Sequence, residues 1–134
     1  TNLEVIIEMA IQNLTNGIDQ KTLLNNISYI NKKIIKNEFE ISKRSKNQVF
    51  KLKYRFVSKD DYKKILLKLN YNDYVSCSSE DDPQTYGSGI VYVFNKLYPL
   101  YDIHGDKTDI LLYIKIKIPD EDGHLPVISF HESE

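Results

Sequence analysis

The chain has 134 residues, 41% hydrophobic and 28% charged, with a single cysteine and a formal net charge of −1. That length suits one ordinary domain with a core of its own, and one cysteine excludes an intrachain disulfide and a cysteine-built zinc site. The near-zero net charge hides a segregated pattern: residues 32–68 carry thirteen Lys and Arg against four acids, whereas residues 69–134 carry four Lys against twelve acids. A field of this kind lets a basic segment face phosphates or an acidic partner, or simply solvate amphipathic helices.

Taken in order, Leu3, Ile7, Ala10, Ile11 and Leu14 recur at helical spacing and stop at Asn16-Gly17. Asp19 is placed to cap a second helix whose apolar stripe is Leu23, Ile27, Ile30 and Ile34. Glu38-Phe39-Glu40-Ile41 alternates as a short strand. Ser42 then caps a helix carrying Val49, Leu52 and Phe56. Ser58-Lys59-Asp60-Asp61 has the form of a capping box, opening a helix that presents Tyr62, Ile65, Leu66 and Leu69. Residues 70–89, rich in Asn, Asp, Ser, Gly and Pro, read as a long loop.

The remainder is strand-like. Ile90 to Tyr98 is rich in Val, Ile, Tyr and Phe, with a break at Pro99 and a turn at His104-Gly105-Asp106. From Leu111 to Ile118, Leu112, Ile114, Ile116 and Ile118 alternate with Tyr113, Lys115 and Lys117. A turn over Pro119 to Pro126 leads to a last strand, Val127 to His131. The fold class expected is α+β: helices on one face of an antiparallel sheet of about four to five strands, in one domain over 1–134. Residues 1–37 form a helical pair and 38–134 the core. Thr1-Asn2-Leu3-Glu4 has no basic patch or apolar run, and no stretch is long and apolar enough to span a bilayer, so a cytoplasmic protein is expected.

No phosphate-binding glycine loop, EF-hand or HExxH spacing is present, and His104, His124 and His131 lie far apart, so neither metal nor cofactor is expected. The set that bears on chemistry is Tyr113, Lys115, Lys117 and His131. The first three share one sheet face by the two-residue period, as do Ser129 and His131 on theirs. Whether the two faces coincide depends on strand register. If they do, Tyr, Lys and His converge on one surface that can move protons and offset phosphate charge. If they do not, these side chains merely solvate an exposed sheet face.

Leu112-Tyr113-Ile114-Lys115-Ile116 followed by Val127-Ile128-Ser129-Phe130-His131 resembles the closing strands of the MqsR family of toxin–antitoxin toxins. Arg44-x-Lys46-Asn47 with Leu52, Ile65-Leu66-Leu67-x-Leu69, Asp73-Tyr74 and Val91-Tyr92-Val93-Phe94 follow the family's order over about residues 38–134. The resemblance implies a RelE-like fold with an extra N-terminal helix, ribosome-independent and metal-free cleavage of single-stranded messenger RNA, and restraint by a cognate antitoxin. It implies catalytic roles for Tyr113, His131 and Lys115, and RNA contacts from Arg44, Lys46, Asn47, Tyr74, Tyr92 and Lys117. Two departures stand out. Some members carry a lysine soon after the Asp-aromatic step, yet no Lys or Arg occurs here between Lys68 and Lys96, and Val93 stands where some place Gln. The alternative is a non-catalytic interaction or phage-defence module of the same fold.

Overall fold

A computed structural model describes residues 18–80 and 83–134. The first expected helix, over residues 3–14, lies outside them, as do Asp81 and Asp82. Helix α1 (Gln20–Ile35) begins where Asp19 Oδ1 accepts from the Thr22 N–H at 2.9 Å. It buries Leu23, Ile30 and Ile34 and ends before Asn37, whose φ of 59° turns the chain out of the helix. Strand β1 (Phe39–Ile41) follows, then helices α2 (Ser45–Lys53) and α3 (Lys59–Leu66). At the start of α3, Asp61 Oδ2 accepts from the N–H groups of Val57 (2.7 Å) and Ser58 (3.1 Å), so the capping box forms where expected.

Helix α2 departs from expectation in start and face. Arg44, not Ser42, precedes it, and Val49 and Leu52 are 65% and 75% exposed. The buried side chains are Asn47 and Phe50, with Tyr54 and Phe56 just beyond the helix. Phe50, Phe56, Tyr62 and Phe130 make a cluster of tilted and edge-on rings 4.9–6.0 Å apart, and this aromatic packing outweighs the aliphatic stripe in setting the rotation of the helix.

The region read as a loop holds a 3-10 turn (Tyr71–Asp73), strand β2 (Tyr74–Ser79) and a one-turn helix, α4 (Pro83–Tyr86). Serines and a cysteine disguise β2, which pairs on one side only. Strand β3 (Gly89–Tyr101) runs through Pro99, because β2 pairs only as far as Phe94 and the proline's missing N–H falls on an unpaired side. Strands β4 (Lys107–Pro119) and β5 (Leu125–Glu132) complete a five-stranded sheet of order β1-β5-β4-β3-β2.

The sheet is mixed, which corrects the antiparallel expectation: β1 runs parallel to β5, and the other pairs are antiparallel. One core unites the helices with one sheet face, through Leu23, Ile34, Ile65, Leu66, Phe94, Leu112, Ile114 and Phe130. Among the described residues no helix is long and apolar enough to cross a membrane.

Candidate functional site

The site is created by an irregularity in β5. Ile116 faces Val127 and Lys115 faces Ser129, so Ile128 is one extra residue in the ladder. In regular alternation, the inward Leu125 and Val127 would carry Ser129 and His131 inward as well. The bulge reverses that phase. Phe130 turns to the core, and Ser129 and His131 turn to the face opposite the helices.

Asn47 holds the bulge. β1 stops pairing at Ile41–Val127, and the backbone of β5 beyond it needs other partners. The buried Asn47 amide donates to the Ile128 carbonyl (3.0 Å) and the Ser42 carbonyl (2.8 Å), and its Oδ1 accepts from the Phe130 N–H (2.8 Å). One side chain on α2 thus continues the ladder that β1 abandons.

Register then sets Tyr113 directly across from His131 and Lys115 across from Ser129 on β5, with Asn95 across from Tyr113 and Val93 across from Lys115 on β3. These six side chains, with Val75 of the β2 irregularity and Arg44, Ser45 and Lys46 at the start of α2, line a cavity of about 590 Å³. The Tyr113 and His131 rings stack with centroids 5.3 Å apart and planes at 27°. His131 Nδ1 lies 2.8 Å from the Glu132 carbonyl oxygen. A carbonyl only accepts, so Nδ1 carries the proton and Nε2 of the neutral ring is the acceptor. Arg44 Nη1 donates to Ser129 Oγ at 3.3 Å, which draws the guanidinium over the cavity. The first turn of α2, with no side-chain cap, adds its N–H groups and the positive end of its dipole. Lys46 pairs with Glu134, which together with Ser133 forms part of the rim. The Lys46 ammonium holds the Glu134 carboxyl below the usual carboxylate range.

Arrangements of this kind bind a phosphate between Arg and Lys, offer an imidazole nitrogen for a proton, and present a phenol beside it. Among the described residues no group of three or more His, Cys, Asp or Glu side chains gathers as a metal site. The chain matched no protein-family model, no curated protein and no solved structure.

Of the nine residues that sequence nominated, Tyr113, Lys115, His131, Arg44 and Lys46 meet at this cavity. The other four do not offer their polar groups to it. Asn47 backs the cavity, but its amide is committed to backbone. Tyr74 and Tyr92 lie in the core with Phe94 on the helix side, where Tyr92 Oη is held by Asn26. Burial pushes both phenols up, and Cys77 adds to the shift of Tyr74. Lys117 shares the register face of Lys115 but is fully buried under the segment after α4, donating to the Gly87 carbonyl at 2.9 Å. These four side chains therefore stand apart from the polar groups that open into the cavity. Sequence reasoning passes over Asn95 and Val75, places Ser129 on the face of His131, and marks Val93 only as a departure from the family pattern. Asn95 is reached by pairing β3 with β4, but Val75 depends on a strand irregularity that no periodicity shows.

Proposed function

We propose that the chain is a metal-independent endoribonuclease acting on single-stranded RNA at the Tyr113/His131/Lys115 face, the toxin of a toxin–antitoxin pair with a RelE-like fold. The observation that carries the reading is the cross-strand pairing of Tyr113 with His131 beside Lys115 and Arg44. His131 Nε2 takes the proton of a ribose 2′-hydroxyl, and O2′ attacks the adjacent phosphorus. Lys115 and Arg44 offset the charge gathering on the phosphorane oxygens. The P–O5′ bond breaks, Tyr113 gives its phenolic proton to the leaving O5′, and the protonated His131 beside it returns a proton to the phenolate through water, so the site ends as it began. Cytoplasmic RNA and a cognate antitoxin are the partners this reading requires.

Purified chain should cut mixed-sequence RNA in EDTA without ribosomes. His131→Ala should lower the rate on the order of a hundredfold, and Tyr113→Phe somewhat less, with melting temperatures unchanged. Full activity in both variants would refute the assignment. A second reading, docking without chemistry, draws on the exposed Val49 and Leu52 of α2 beside Lys46 and Lys53, a surface suited to an acidic amphipathic partner. RNA left intact under these conditions would favour it.

A further inference from the structure

One polar group in the cavity wall lacks a partner. Asn95 lies on β3 directly across from Tyr113, and its Oδ1 is shielded from solvent with no hydrogen bond. Leaving a shielded carbonyl unpaired is costly, and sites of this kind are usually explained by a strain reservoir, a water or a ligand. An amide χ2 is soft, so a half-turn exchanges Oδ1 and Nδ2 at the cavity side at small cost.

The surroundings indicate which ligand would relieve it. Val75 and Val93 give the β2–β3 end of the cavity apolar walls beside the Tyr113 ring, whereas the Arg44 guanidinium and the Lys46 ammonium, the latter paired with Glu134, stand at the β5–α2 end, with Lys115 on β4 between the two ends. Adjacent strands lie about 4.8 Å apart, so β3 and β5 are separated by roughly 10 Å across the sheet. An apolar valine patch with one amide at one end, cations toward the other, and a tyrosine between match the parts of one nucleotide: base, phosphate and ribose. Resting on the RNA reading above, we infer that Asn95 reads the hydrogen-bonding edge of a nucleobase resting against Val75 and Val93, and that this contact gives the chain a base preference. An amide offers one donor and one acceptor, so it pairs with a base edge that presents the complementary pair.

The test uses the full chain with Asn95→Leu and Asn95→Asp. Randomised RNA is incubated in EDTA and the new ends are sequenced. In parallel, binding is measured to four uncleavable 2′-deoxy oligothymidylates that differ in one central base. The wild type should prefer one base on the order of tenfold. Asn95→Leu should flatten the preference while melting at the same temperature or higher, since it replaces an unpaired polar group by an apolar one of similar shape. Asn95→Asp removes the donor and should move the preference toward guanine, whose N1–H and N2–H₂ present two adjacent donors. A merely structural Asn95 would lower the melting temperature and leave the preference alone, which overturns the inference. RNA cutting with unchanged preference in both variants overturns the base reader and leaves the nuclease standing. Selective binding lost in Asn95→Leu without any cutting supports the base reader and removes the chemistry. A wild type that neither cuts nor binds overturns both.

Discussion

Replacing Asn47 with Ala would leave the Ser42 and Ile128 carbonyls and the Phe130 N–H without partners inside the protein. We expect a loss of roughly 2–4 kcal/mol in urea unfolding. Activity should also fall more than the lost stability accounts for, because the Ile128 bulge that turns His131 outward loses its clamp. An Asn47→Ala protein as stable and active as wild type would mean that the bulge holds itself. This residue shows what sequence reading reaches at the finest scale. Arg44-x-Lys46-Asn47 stands out in the sequence as a cluster, but the pattern cannot tell a side chain that faces a ligand from one that replaces a missing strand. For Tyr92 in its apolar strand and Tyr74 at the edge of the expected loop, an aromatic serves the core and a base-stacking surface equally well by composition; burial places both in the core.

The long elements were legible because their patterns are strong. α1 and α3 have apolar stripes and capping residues in place, and β4 alternates without exception from Leu112 to Lys117. Weaker elements failed for local reasons. β2 has three serines and one pairing partner, and α2 was turned by aromatic packing that a stripe of Val and Leu does not foreshadow. The join of β3 to β4 offers a test at this scale. A methyl on Gly89 would stand 2.4 Å from the Ile118 carbonyl oxygen, a distance that backbone cannot absorb without moving. Gly89→Ala should therefore unpair the Gly89–Pro119 end of the β3–β4 ladder and release the neighbouring 83–88 segment from Lys117. Faster amide exchange at Ile90 and Ile118 would register this, with the Tyr113–His131 end of the sheet unaffected.

Across the whole molecule, lysines of the basic middle segment pair with acids of the C-terminal half, and with one of the segment's own, rather than standing apart. Lys33 of α1 binds Glu38 at 2.9 Å and Asp122 of the β4–β5 turn at 2.7 Å, and Lys53 binds Glu132 at 2.9 Å. Lys33 holds both Glu38 and Asp122 below their usual range; the Tyr54 hydroxyl and then Lys53 do the same for Glu132. Carboxyls lowered by folding contribute stability that is complete above their unfolded values, about pH 4, and is lost as pH falls through the folded ones. Melting temperature should thus drop below about pH 4, and the drop should be smaller in Lys33→Met, which abolishes two of the pairs. An identical acid profile in that variant would show the pairs to be energetically silent. The segregation was plain in the sequence, but its use as internal cross-bracing was not, since pairing depends on which loops the fold brings together.

The proposed reaction is attack of a 2′-hydroxyl on its own phosphate at the Tyr113/His131 face. The most direct measurement is the chemistry of the ends left by RNA cut in EDTA. Attack by the ribose leaves 2′,3′-cyclic phosphate and 5′-hydroxyl ends, and these should vanish in His131→Ala. Ends bearing 3′-hydroxyl and 5′-phosphate would mean that water, not the ribose, attacks, and would contradict it.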